Sequence, residues 1–261
     1  MNIEGSVTIV TGSSRGLGAA VARMLAAKGG KVVVNHSRSE DEARAVAAGC
    51  EACGAETLVV RADVVRDEDC RRLAAAALDR WGRIDGLVNN AGITKFVDFR
   101  DLDGLDAEDF QRIFGVNVVG PYQMIRAVAP HMKARGAGAV VNVASTAGVT
   151  GLGSSIAYAA SKGALINMTK GLARALGPEV RVNAICPGFI QGEWLRRGLG
   201  EDRYLQLKTL LERTAPLART GTAEEMAEVA VWLLEGGRHV TGETVIVDGG
   251  ATLGGLRRFD R

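Results

Sequence analysis

Seven short runs of continuous apolar, mostly β-branched residues punctuate this chain, and stretches with helical periodicity separate them. The runs are Val7–Val10, Lys31–Val34, Thr57–Val60, Gly86–Val88, Ala139–Val143, Val180–Val182 and Thr244–Val247. A strand that alternates apolar and polar residues keeps one face in water, whereas a run that is apolar throughout has both faces buried. Buried strands joined by helices predict an α/β fold: a single doubly wound domain, its seven-stranded parallel sheet covered by helices on both faces. With 47% of its 261 residues hydrophobic, the chain has enough apolar surface for such a core. No Pro- or Ser-rich linker and no internal repeat divides it.

Two stretches break the rhythm. Leu105 to Ala134 has helical periodicity but carries Gly115, Gly120 and Pro121, which predicts a kink near its middle. Residues 188–216 interrupt the alternation after the sixth strand. Insertions beyond a strand's carboxyl end are where open α/β sheets hold ligands, so this is a candidate substrate lid.

Other classes find little support. The formal net charge is only +2, and Lys and Arg are scattered, so no nucleic-acid footprint is visible. The apolar runs are too short and too interrupted by charge for a membrane span, and Met1–Gly5 has no basic leader. The cytoplasm is the expected location. Cys50 and Cys53 form a C-x-x-C near the end of an Ala-rich helical stretch, with no second pair and no neighbouring His. They read as small helix residues, and no metal site is expected. His36, His131 and His239 read as surface residues.

The first strand runs directly into Thr11-Gly12-Ser13-Ser14-Arg15-Gly16-Leu17-Gly18, and a helix follows. Glycines there allow a tight turn and bring amide N–H groups close to a pyrophosphate at the helix N-terminus, where the partial positive charge lies. Farther on, Tyr158 and Lys162 stand at i and i+4 on one helix face. A phenol normally titrates near 10, and a neighbouring ammonium favours the phenolate, so the pair suits proton exchange with an alcohol or alkoxide. Y-x-x-x-K alone is common. Ser145, thirteen residues earlier at a strand end, adds a hydroxyl able to hydrogen-bond a substrate oxygen. It could also cap the turn that follows. Asn117 falls at the expected kink, where a poor helix former needs a reason.

The ordered set Thr11–Gly18, Asp63, Asn89-Asn90-Ala91-Gly92, Asn117, Ser145, Tyr158 with Lys162, and Pro187-Gly188 resembles the classical short-chain dehydrogenase/reductase family over almost the whole chain. The nearest overall likeness is to its 3-oxoacyl-acyl-carrier-protein reductase subgroup. The resemblance implies a Rossmann domain and a catalytic tetrad of Asn117, Ser145, Tyr158 and Lys162. In it, the Asn holds a proton-relay water and the Lys also grips the nicotinamide ribose. It implies dinucleotide contacts from Gly12, Ser14, Arg15, Gly16, Leu17 and Gly18. Asp63 with Val64 would lie at the adenine, Asn90, Ala91 and Gly92 along the adenosine ribose, and Pro187, Gly188 and Ile190 against the nicotinamide. Gly192 replaces a Thr that the family often uses there. The family mostly forms tetramers through long helices and the last strand, and Val245-Ile246-Val247 reads as an apolar edge, so a homotetramer is expected.

The second strand ends without a carboxylate. An acid there would accept bonds from the ribose hydroxyls of NAD and repel a 2′-phosphate. Asn35 and Ser37 can donate hydrogen bonds to that phosphate, Arg38 can add a charge-assisted one, and Arg15 can approach from the other side. NADP(H) is therefore the expected cofactor, ahead of NAD. The reading is an oxidoreductase moving a hydride between nicotinamide and a small-molecule carbonyl or secondary alcohol, resembling a 3-oxoacyl-thioester reductase. Alternatives are a dehydrogenase of a small alcohol, sugar or steroid, a dinucleotide-sensing protein, and a nucleotide-sugar epimerase, which would need a longer chain. Phe96, Leu152, Trp194 and Leu195 are plausible lining for a partly apolar substrate. A carrier-docking Arg expected near the end of the Tyr helix is missing from Gly177-Pro178-Glu179, although Lys133 and Arg135 lie in the other patch.

Overall fold

In the computed structural model, which describes residues 1–254, every one of the seven apolar runs is a strand. They are β1 (Val7–Val10), β2 (Lys31–His36), β3 (Thr57–Arg61), β4 (Gly86–Asn89), β5 (Gly138–Val143), β6 (Val180–Pro187) and β7 (Thr244–Val247). All pairs are parallel, in the order β3-β2-β1-β4-β5-β6-β7. The helices are α1 (Gly16–Ala27), α2 (Glu40–Glu51), α3 (Asp67–Trp81), α4 (Ala107–Phe114), α5 (Gly120–Ala134), α6 (Ala147–Thr150), α7 (Ile156–Leu176), α8 (Glu193–Leu199), α9 (Glu201–Thr214) and α10 (Ala223–Glu235).

The sheet separates two cores by simple alternation. Val32 and Val34 face a cluster with α1, α2 and α10, while Val33 between them faces one with α3 and α5. Each fully buried Val, Ile or Leu contributes about 1.5–3 kcal/mol. A helix cap, such as the Asp106–Asp109 box that starts α4, contributes about 1 kcal/mol. Packing against the sheet therefore decides where the helices lie, and caps only trim their ends.

Several details differ from the sequence reading. β2 continues to His36 and β6 to Pro187, past polar residues that would end an apolar run. Asn183 is tolerated because its side chain donates to Val240 O at 2.9 Å and accepts from Glu243 N at 3.0 Å. His36 is not a surface residue: as part of β2 it is 3% exposed, and burial lowers its pKa. The helical stretch after β4 is broken by a π turn over Gly115–Val119, followed by Pro121 in the first turn of α5. That discontinuity lies where a kink was expected, and Asn117 sits within it. Cys50 is buried inside α2, where burial pushes its thiol up to about 11, and the exposed Cys53 beyond the helix directs its thiol at Gly49 O. Among the described residues no helix is long and apolar enough to cross a membrane, and no cluster of His, Cys, Asp or Glu is placed to hold a metal.

Strand order reverses around β1, which pairs with β2 on one side and β4 on the other. Chains leaving these carboxyl ends turn toward opposite faces of the sheet and leave a crevice between them. A buried polar ladder ties the neighbouring strands together. Asn89 Nδ2 donates to Asn142 Oδ1 at 2.9 Å, Asn142 Nδ2 donates to Thr169 Oγ1 at 2.9 Å, and the Thr169 hydroxyl donates to Leu165 O at 2.8 Å. Thr169→Val keeps the volume but leaves the Asn142 amide unpaired in the core. It should lower unfolding free energy by about 1–3 kcal/mol in urea denaturation; an unchanged midpoint would remove the ladder from the list of stabilising features.

Candidate active site

The Gly-rich loop occupies the crevice and is held from below by Asn35. Its Oδ1 accepts from Gly12 N at 3.0 Å, and its Nδ2 donates to Val60 O at 3.2 Å and Ala62 O at 3.1 Å. Asn35 is 2% exposed. This corrects the sequence reading, because its amide is committed to backbone and supports the loop instead of reaching a phosphate. Gly12 has φ +60°, and a Cβ there would meet Ala91 Cα at 2.9 Å, so only glycine fits between the loop and the strand end. Asn90 closes the same contact by donating to Thr11 O and Gly12 O at 2.9 and 3.0 Å.

The start of α1 has no side-chain cap and no acid in its first turn. Among the described residues no side chain claims the amides around Gly16, Leu17 and Gly18, at the positive end of a helix dipole. A pyrophosphate fits this cradle, with Ser14 and Arg15 at its rim. Arg15 reaches the residue that follows Arg38. Its guanidinium donates to Ser39 Oγ at 2.7 Å and lies 3.5 Å from Glu42.

Beyond the end of β2, a polar cleft of about 510 Å³ is lined by Ser37, Arg38, Arg61, Asp63, Arg66, Asp69 and Arg72. Arg72 is tied to Arg61 O and Asp69 at 2.9 and 2.8 Å. The sequence reading missed Arg61, Arg66 and Arg72. Arg61 was reachable in principle, since it ends β3 directly beside His36 in the parallel register. Val64, next to Asp63, is buried, and Gln123 holds its carbonyl at 2.7 Å.

Ser145, Tyr158 and Lys162 converge at the carboxyl ends of β5 and β6. Ser145 lies in hydrogen-bonding reach of the Tyr158 phenol. Its Oγ also accepts from Ala147 N at 3.1 Å, so the capping role and the phenol contact coexist. Lys162 is 3% exposed; its Nζ donates to Val143 O at 2.8 Å and stands 5.6 Å from the centre of the Tyr158 ring. Burial lowers the Lys162 pKa to about 8 and raises that of Tyr158 to about 12, against a smaller opposing effect from Ser145. The sequence reading expected a lowered phenol. Within the chain alone burial prevails, and the Lys162 ammonium is committed to Val143 O.

Asn117 is wholly buried in the π turn. It accepts from Ile93 N and donates to Ile93 O, both at 2.9 Å, and donates to Ser161 Oγ at 3.0 Å. Its side chain thereby joins the loop after β4 to the helix that carries Tyr158. A substituent on Gly92 would come within 3.4 Å of Asn117 Oδ1 and 3.5 Å of Lys162 Nζ, so both flank one point. On the other side, Pro187 O accepts from Thr146 N at 3.0 Å and Gly188 N donates to Val247 O at 3.0 Å. Ile190 bridges Gly221 through its neighbours: Gly221 N donates to Phe189 O and Gln191 N to Gly221 O. In a parallel bridge this turns Ile190's own N–H and C=O away from Gly221 and leaves them available. Trp194 stands beside Tyr158 with Phe96 against it, Leu195 is half-buried, and Leu152 is 71% exposed.

Comparison with known proteins agrees with this arrangement. A family model described as Enoyl-(Acyl carrier protein) reductase matches residues 12–252. A Streptomyces violaceoruber protein described as ketoacyl reductase 2 of the granaticin polyketide synthase is 42% identical, over 96% of this chain and 97% of its own. A Synechocystis 3-oxoacyl-[acyl-carrier-protein] reductase is 38% identical over 96% and 98%. The solved structure of an NAD⁺-bound xylitol dehydrogenase is 29% identical with a TM-score of 0.88, covering 96% of this chain and all of that one.

The buried ammonium predicts a specific stability profile. With the folded Lys162 pKa near 8 and an unfolded lysine near 10.4, the unfolded state binds more protons between those values, so stability rises with pH there. From pH 7 to 9.5 the wild type should gain about 1–2 kcal/mol relative to Lys162→Met in urea unfolding; parallel curves would contradict the lowered pKa.

Proposed function

Since the chain belongs to the classical short-chain dehydrogenase/reductase family, on the side of its 3-oxoacyl reductases, we propose that Ser145, Tyr158 and Lys162 are the groups with which it performs the family's carbonyl–alcohol chemistry. The enzyme is an oxidoreductase that transfers a hydride between a nicotinamide dinucleotide and a carbonyl or secondary alcohol. The observation that carries the assignment is the meeting of these three side chains beside an uncapped, glycine-lined helix N-terminus in one crevice.

When bound, the nicotinamide supplies or accepts the hydride. The chain's own residues manage the oxygen and its proton. Ser145 and Tyr158 present two O–H donors to one substrate oxygen, and both bonds strengthen as charge develops there. Tyr158, with a pKa held high by burial, remains protonated at neutral pH and can give its proton to the forming alkoxide. Lys162 keeps a positive charge near the ring and is placed to reach a ribose hydroxyl. Asn117 Oδ1 and Lys162 Nζ flank one point beside Gly92, a position suited to a relay water. Two donors converging on a single oxygen favour a C=O substrate over a C=C one.

For the dinucleotide, the cradle would take the pyrophosphate, and Asp63, Val64, Asn90, Ala91 and Gly92 the adenosine. Pro187, Gly188 and Ile190 would take the nicotinamide. We read the preference as NADP(H): β2 ends without a carboxylate, and Ser37, Arg38 and Arg61 line the cleft beyond it. The names of the reductase relatives favour a 3-oxoacyl thioester as substrate. The placement of Lys133 and Arg135 favours a carbonyl presented without a carrier. Lys133 pairs with Glu179 at 4.0 Å and Arg135 with Asp85 at 3.5 Å, beside the amino ends of β4, β5 and β6, opposite the crevice. α8 and α9 form the proposed lid over residues 188–216. The exposed edge of β7, with Ile246 43% exposed, supports a homotetramer, and the proposal includes a cytoplasmic location.

Tyr158→Phe should lower turnover of any accepted ketone by about 10²–10⁴-fold while dinucleotide affinity stays within about threefold. More than a tenth of wild-type turnover would refute the role. Arg38→Glu should reduce kcat/KM with NADPH by about 10- to 100-fold, with little change for NADH. Equal wild-type values with the two cofactors would reject the NADP(H) reading.

A further inference from the structure

Trp194 lies half-exposed against the ring of Tyr158, and its position is fixed from two directions. Its ring centre is 6.1 Å from that of Tyr158, at 45°, and 5.7 Å from that of Phe96, at 57°. These are ordinary distances for tilted aromatic pairs. One helical turn later, a side chain on Gly198 would overlap the Phe96 ring, so α8 rests its backbone directly on Phe96. Arg196, on the same helix, covers Tyr204 at 4.4 Å, and Tyr204 is buried against Phe189. Trp194 is therefore a preset wall. Among the described residues its aromatic partners are Tyr158 and Phe96, and the 49% of Trp194 that stays exposed leaves open apolar surface beside Tyr158.

The charges around that wall oppose an anionic substrate. The loop from Asn90 to Asp106 carries Asp98, Asp101, Asp103 and Asp106 against Lys95 and Arg100. Both cations are paired, Lys95 with Asp109 at 2.5 Å and Arg100 with Asp98 at 3.1 Å. On α8, Arg196 pairs with Glu201, and Arg197 with Glu193 at 3.5 Å. Ion pairs at a surface can exchange partners at small cost, and Arg203 of α9 acts on Asp98 from the facing side, but the loop's own charge stays net negative. A pyrophosphate-bearing thioester or an acidic carrier would meet repulsion where a neutral molecule meets none.

We propose that the substrate is a free, uncharged ketone with a flat aromatic or fused-ring body, stacked on Trp194 with its carbonyl toward Ser145 and Tyr158. This rests on the carbonyl-reductase reading above and narrows it.

The test compares kcat/KM for 1-tetralone, 2-butanone and acetoacetyl-coenzyme A at saturating NADPH, and again at saturating NADH. Wild type should prefer 1-tetralone at least tenfold over both others. Trp194→Ala should reduce that value at least tenfold but change 2-butanone less than threefold. Trp194→Phe should keep most of the preference, and Trp194→Leu, apolar but not flat, should lose it. Unchanged dinucleotide affinity in each variant establishes that it is folded. If acetoacetyl-coenzyme A is the equal or better substrate, or if Trp194→Ala affects all three alike, the proposal is overturned. Failure of all three substrates with both cofactors would instead strike the carbonyl-reductase reading, and this proposal with it.

Discussion

A sheet whose strands all run one way can leave neither face in water, and the rest of this molecule follows from that. Helices must return over both faces, so all seven carboxyl ends gather along one edge and every loop leaving them meets there. Where β1 has β2 on one side and β4 on the other, those loops diverge and open the crevice. The Gly-rich loop, Asp63, Asn90–Gly92, Ser145 and Pro187–Ile190 come from five different strand ends. They are hundreds of ångströms apart in an extended chain and neighbours only because the sheet orders them.

The same burial that stabilises the sheet sets the chemistry at its edge. Lys162 is nearly sealed from solvent, and losing water lowers its pKa toward 8 even though Val143 O accepts a hydrogen bond from it. Tyr158 moves the opposite way for the same reason, since burial disfavours whichever form is charged. The pair is left with a neutral phenol and an ammonium not far from neutrality at physiological pH. A low dielectric also strengthens any hydrogen bond that Ser145 and Tyr158 direct at a substrate oxygen. Asn117 keeps this geometry by holding Ile93 and Ser161 together across the π turn.

Much of the site was legible because its residues obey local rules. Gly12, Gly16 and Gly18 announce a turn no other residue can make, and Tyr158 and Lys162 share a helix face by spacing alone. What was not legible involved polar side chains whose partners are remote in sequence. Asn35 looked like a phosphate donor, yet three main-chain groups near β3 and the Gly-rich loop claim its amide. His36 read as a surface residue because it belongs to no constellation of functional groups, but as the last residue of β2, paired with β3, it is buried. Arg61, Arg66 and Arg72 carried no motif; they join Arg38 only because β2 and β3 end side by side. The grip of α8 on Phe96 through Gly198 depends on two segments a hundred residues apart.

By itself, then, the sequence determined the strands, the layering, the Gly-rich turn and the candidates for the reacting side chains, since each depends on periodicity, torsional freedom or spacing within a few residues. The tertiary structure alone decided the cleft of arginines beyond β2, the opposed pKa shifts of Tyr158 and Lys162, the bracing roles of Asn35 and Asn117, and the aromatic wall at Trp194. Desolvation and hydrogen-bond satisfaction are properties of everything that surrounds a group, and those surroundings do not exist until distant segments pack.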